Sequence, residues 1–129
     1  MRMKTSFIYT GIRVKDMKES IDFYTKVLGM KLVGKSKIPI AKGEVANLIT
    51  EGGEFSLELN HYSKASKYDS RYTVGEGLDH LAFGVDDLDG LIEKARKMGH
   101  PVVAEMKTEK SRWVYIKDPN GIWIELCQT

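Results

Sequence analysis

A chain of 129 residues, 42% hydrophobic and 29% charged, has the make-up of one soluble globular domain. With 20 Lys and Arg against 18 Asp and Glu the net charge is only +2, and no basic cluster is interleaved with aromatics, which argues against a nucleic-acid partner. No apolar run is long enough to span a membrane, the first ten residues do not read as a secretion signal, and a single cysteine allows no internal disulfide, so the expectation is a cytoplasmic protein.

The first predicted element is a strand over Phe7 to Val14, with Tyr9, Gly11 and Arg13 on one face. Asp16 and Glu19 have capping-box spacing, and Met17, Ile21, Tyr24 and Leu28 form an apolar stripe, so a helix is predicted from Met17 to about Leu28. Met30 to Val33 reads as a strand and Gly34 to Gly43, with its Pro39, as a loop or irregular edge. A hairpin follows, Glu44 to Thr50 and Glu54 to His61 across Gly52-Gly53; Phe55, Leu57 and Leu59 share one face, Ser56, Glu58 and Asn60 the other. Tyr62 to Glu76 is polar and without period, a linker.

The same order then repeats. Leu78 to Val85 reads as a strand with His80, Ala82 and Gly84 on one face, and Asp87 caps a helix from Leu88 to about Met98 that Gly99 ends. A strand over His100 to Met106 and a basic loop lead to the hairpin Arg112 to Cys127, turned by Asp118-Pro119-Asn120-Gly121. On its second strand Ile122, Ile124 and Leu126 face one way; Trp123, Glu125 and Cys127 face the other, and a carboxylate there needs a partner or a metal.

Each half is therefore β-α-β-β-β, module one about 6–62 and module two about 77–127, within a single domain of 1–129. Val14 and Val85 lie 71 positions apart, Glu58 and Glu125 lie 67 apart. Applied to the rest, these shifts place Tyr9 on His80 and Glu58 on Glu125, all on the face away from the helices. A histidine and two glutamates on facing strands suit a divalent ion with open positions; the plainer alternatives are a core histidine and two solvated edge glutamates. Arg13, on the Tyr9 face, suits either a substrate anion or a salt bridge to a site carboxylate. Asn60 and Trp123 share the faces of Glu58 and Glu125 and are candidate substrate contacts, while Cys127 reads as a small apolar filler.

The segments IRVKDMKESIDFYTKVLGMKL, LELN, LDHLAFGVDDLD and DPNGIWIEL together resemble the vicinal oxygen chelate superfamily, and most of all its small glyoxalase I-like members. The resemblance implies an α+β fold in which two tandem βαβββ modules form an eight-stranded open half-barrel. It implies a ligand set at Tyr9, Glu58, His80 and Glu125, where Tyr9 stands in place of the family's first histidine; Glu58, His80 and Glu125 are the expected ligands and Tyr9 an additional candidate. It further implies a homodimer, a small-molecule substrate, and a divalent ion among Ni, Zn, Mn, Co and Fe. Positions tied to glutathione in the family fall on Tyr62 and Glu76 here, which disfavours that tripeptide.

The function implied is a glyoxalase I-like lyase or isomerase. It would act on a bidentate α-hydroxycarbonyl or thio-adduct through a metal-stabilised enediolate, with Glu125 or Glu58 as the base and Arg13, Tyr9, Asn60 and Trp123 against the substrate. The alternatives are a small-molecule binding or resistance protein, with or without metal, and a methylmalonyl-CoA epimerase-like or dioxygenase-like member.

Overall fold

The computed structural model describes residues 3–129. Its first half contains β1 (Thr10–Arg13), α1 (Met17–Asp22, continued by π-helical turns over Phe23–Val27), β2 (Lys31–Ile38), β3 (Gly43–Ile49) and β4 (Ser56–Tyr62). Its second half contains β5 (His80–Val85), α2 (Leu88–Lys97), β6 (Ala104–Lys107), β7 (Arg112–Lys117) and β8 (Trp123–Gln128). The eight strands form two open four-stranded sheets, ordered β1-β4-β3-β2 and β5-β8-β7-β6. In each, the first strand of the half pairs parallel with the last and the rest is antiparallel.

The two registers correspond. Gly11 lies opposite Glu58 on β1–β4, and Ala82 opposite Glu125 on β5–β8. These are the pairs the 71- and 67-residue shifts equate, so the repeat holds at the level of individual rungs.

Both helices start where the sequence predicts. Asp16 accepts from the Glu19 N–H at 2.8 Å, and Asp87 accepts from the Gly90 N–H at 3.0 Å. Gly99, at φ 91°, takes the left-handed conformation that ends α2 without steric cost.

Several boundaries differ from the sequence reading. The first strand is shorter than Phe7 to Val14, because its ladder begins at Thr10 opposite Leu57; Phe7 is 87% exposed. The π-helical turns shift the inward face of the first helix. A wider turn rotates less per residue, so adjacent Phe23 and Tyr24 both reach the core with Val27, whereas Ile21 and Leu28 are only partly buried. Their closure shows in the Leu28 N–H bonded to the Phe23 carbonyl, five residues back.

Of the two readings of the stretch from Gly34, loop or irregular edge, the edge holds up to Ile38: β2 is the outer strand of its sheet, β3 offers it a full ladder, and a bulge between Leu32 and Gly34 absorbs the irregularity. Pro39 then opens a short 3-10 turn. The strand predicted from His100 starts only at Ala104. Phe55 is exposed rather than sharing the buried face of Leu57 and Leu59, because β4 begins one residue after it.

Buried apolar residues from both sheets and both helices join one cluster, with Leu48, Leu59, Ile116, Ile124 and Leu126 fully enclosed. Buried beside them is a polar knot. The Tyr24 hydroxyl donates to Asp118 at 2.7 Å; the Asn120 and Ile122 N–H groups donate to the other Asp118 oxygen at 2.8 and 2.9 Å. The Asn120 amide donates to Ser20 and accepts from the Lys15 N–H. The turn before β8 is thus fastened to the start of α1, across the two halves. Gly121, at φ 87°, supplies the backbone reversal this requires. Every buried side-chain N and O among the described residues has a partner.

Candidate functional site

The β8 alternation buries Ile124 and Leu126 and turns Trp123, Glu125 and Cys127 to the open face of the second sheet. Beside Glu125 on β5 is Ala82, whose small side chain leaves the carboxylate uncovered on that side. Tyr115, opposite on β7, donates its hydroxyl to Glu125 Oε1 at 2.7 Å. The Cys127 thiol donates to Oε2 at 3.2 Å. These donors, with the His80 imidazole nearby, hold the Glu125 carboxyl below its ordinary pKa: Tyr115 contributes most, then Cys127, and partial burial opposes them. The Tyr115 hydroxyl is raised in turn, chiefly by its bond to Glu125, and the Cys127 thiol is raised by burial and then by the same carboxylate.

His80 opens β5. Its Nδ1 lies 2.6 Å from an Asp79 carboxylate oxygen, which can only accept, so in the neutral imidazole Nδ1 carries the proton and Nε2 the lone pair. Nε2 points at Glu125 Oε1, 3.9 Å away. With the imidazole neutral, two lone-pair donors face each other. Groups bound at about 2.0–2.2 Å to one ion can stand up to about 4.3 Å apart, so the separation suits a shared divalent cation. Asp79 behind the imidazole is the carboxylate–histidine arrangement that orients metal-binding rings. Sequence reasoning missed Tyr115 and Asp79, and took Cys127 for a filler when it is a donor to Glu125. The signal for Tyr115 was available: counting back across the Asp118-to-Gly121 turn puts it opposite Glu125.

The corresponding face of the first sheet is less organised. Glu58 lies on β4 opposite Gly11 and Asn47, half-buried, and among the described residues its carboxylate has no hydrogen-bond or ion-pair partner. Tyr9 is just outside β1 and 45% exposed, with its ring leaning over Gly11. The Asn60 amide turns back to the Ile12 carbonyl at 3.3 Å. Arg13 is engaged by the linker: it donates to Ser70 at 2.8 Å, lies 4.0 Å from Asp69, and covers the Tyr72 ring at 5.0 Å. Of its two expected roles, a bond to a site carboxylate is replaced by one to a linker carboxylate.

Within one chain, then, His80 and Glu125 come together, and among the described residues no group of three His, Cys, Asp or Glu side chains converges. A cavity of about 410 Å³ opens beside this pair, walled by Asp79, His80, Met106, Tyr115, Trp123 and Val74. Trp123 packs on Tyr115 at 5.4 Å and carries the Lys117 ammonium over its ring. In the basic run before β7, Arg112 is tied to Asp89 and Glu105.

Paired βαβββ units, each with a carboxylate on the inner rung of its last strand, define a known class. Residues 6–126 match the family model described as the glyoxalase/bleomycin resistance protein/dioxygenase superfamily, and the chain belongs to that superfamily. It is 36% identical to a probable lactoylglutathione lyase of Synechocystis, over 95% of this chain and 94% of that protein. Among solved structures it is similar to the trypanothione-dependent glyoxalase I of Leishmania major, with 31% identity, a TM-score of 0.75, and 97% and 87% of the two chains covered. It is also similar to glyoxalase I of Zea mays, with 28% identity and a TM-score of 0.76 over 95% of this chain; the match spans only 44% of the maize chain. The expectation of a lyase agrees with the names these relatives carry.

Proposed function

We propose that the chain is a glyoxalase I-type lyase that isomerises a thiol adduct of a 2-oxoaldehyde to a 2-hydroxy thioester. The observation that carries this reading is the pair His80 Nε2 and Glu125 Oε1, facing at 3.9 Å with a carboxylate behind the imidazole. His80 and Glu125 would hold a divalent ion, with Glu58 and Tyr9 supplied by a second copy of the chain about a twofold axis. When bound, that ion polarises two adjacent substrate oxygens and makes the intervening C–H acidic.

The remaining roles belong to the protein. Glu125 has donors on both oxygens, so it is a fixed ligand and a poor base. Glu58 has none among the described residues and is the carboxylate available to take a proton. It removes the proton from the carbon bearing sulfur and returns it to the neighbouring carbonyl carbon. Tyr9 donates its hydroxyl to the developing oxyanion. Trp123 and Met106 wall the cavity and shield the reacting carbons from water.

The test is turnover of methylglyoxal–thiol adducts with Ni, Zn, Mn or Co. Metal-dependent thioester formation that disappears in His80→Ala is expected; no turnover with any thiol and any of these ions would sink the proposal. Mixing Glu58→Gln chains with Glu125→Gln chains tests the twofold arrangement. If each site takes one glutamate from each copy, half the dimers are mixed and each has one intact site. Activity then returns to roughly a quarter of wild type. A site built within one chain would regain none.

A further inference from the structure

Tyr115 touches three groups of the second half-site: Glu125, His80 and Trp123. Its hydroxyl lies on Glu125 Oε1, the oxygen that faces His80 Nε2. Its ring stands edge-on to the His80 imidazole, 5.7 Å between centroids at 88°, and packs against Trp123 on its other side. It lies on the open face of β7, alternating with Val114 and Ile116, which fill the core, so it is not needed for packing beneath the sheet.

We propose that Tyr115 is the positioning residue of this site: hydroxyl and ring together hold the carboxylate and the imidazole at the separation a shared ion requires. The inference rests on the metal-dependent reading above. A glutamate side chain has three rotatable bonds, and an unrestrained Glu125 could turn Oε1 away from Nε2 at little cost. The hydroxyl on Oε1 and the thiol on Oε2 block that rotation from both sides. Each carboxylate oxygen has a second lone pair, so Oε1 can accept from Tyr115 and bind an ion at once. Loss of such an outer partner typically weakens a metal site about 10- to 100-fold.

Calorimetric titration of the purified full chain with Co(II) alone tests this. Tyr115→Phe keeps the ring and removes the hydroxyl. It should bind Co(II) roughly 10- to 100-fold more weakly than wild type, with shifted Co(II) absorption bands and an unchanged melting temperature. In a Glu125→Ala background the same change should cost nothing further, because the hydroxyl acts only through that carboxylate. Unchanged affinity and spectrum in Tyr115→Phe would overturn the proposal and leave the metal reading standing. So would an equal loss in the Glu125→Ala background, or a collapse of the melting temperature. If wild type takes up no Co(II), or His80→Ala binds it equally well, the metal reading fails and this inference fails with it.

Discussion

The two open sheet faces share a register and differ in how tightly their side chains are held. On the second, Asp79 bonds His80, Tyr115 and Cys127 bond Glu125, and His80 Nε2 faces Glu125 Oε1 at 3.9 Å. On the first, the Glu58 carboxylate has no partner among the described residues and Tyr9 leans over Gly11 outside its strand. A shared backbone plan therefore does not impose shared roles: the rung sets where a carboxylate stands, and its neighbours on the face set what it can do.

The sharpest way to break that contrast is to neutralise each glutamate in turn. Glu125→Gln should weaken Co(II) binding, by more than Tyr115→Phe does, together with loss of turnover. Glu58→Gln should retain most of the binding while turnover falls about 10²- to 10⁴-fold, the usual loss for a general base. Equal losses of affinity in both variants would show that the two carboxylates do the same job.

A second contrast is between the two hairpin turns. Residues 50–55 are largely exposed, whereas Asp118 and Asn120 are buried. Asp118→Ala removes the acceptor for four donor groups and should cost about 3 kcal/mol or more in urea unfolding. Substitutions at Glu51 should leave the midpoint where it is.

Tyr24→Phe is milder, at about 1–2 kcal/mol, since Asn120 still donates to Asp118. It also carries a pH signature. Burial, and then the Asp118 charge, raise the Tyr24 hydroxyl well above its ordinary pKa. The fold thus favours the neutral phenol, and this contribution is complete below the unfolded value of about 10 and declines as pH rises above it. Wild type should lose stability above that point more steeply than Tyr24→Phe. Identical slopes would mean the phenol is not the group responsible.

The smallest effect expected is a gain. Tyr9→His, which makes the first half-site resemble the second, should tighten Co(II) binding about tenfold, since borderline metals prefer imidazole to phenol. No change would place Tyr9 away from the ion.

Much of this was legible in the residues. Period-two alternation and capping residues located the strands and both helix starts, and the 71- and 67-residue shifts matched rungs before any register was known. What escaped depends on contacts between elements. The length of β2 is set by its partner β3, the inward face of α1 by a widened turn, and the tether on Arg13 by a linker with no period of its own. Cys127 could be placed on the Glu125 face, but its bond to the carboxylate depends on a rotamer.

The knot around Asp118 also bears on whether either repeat could live alone. A fragment ending in the linker would leave the Ser20 hydroxyl without its donor and the Tyr24 hydroxyl without its acceptor across the seam, and its counterpart would bare a charged aspartate. Truncation should therefore yield two insoluble pieces, while co-expression of the same pieces could let them find each other as a split protein.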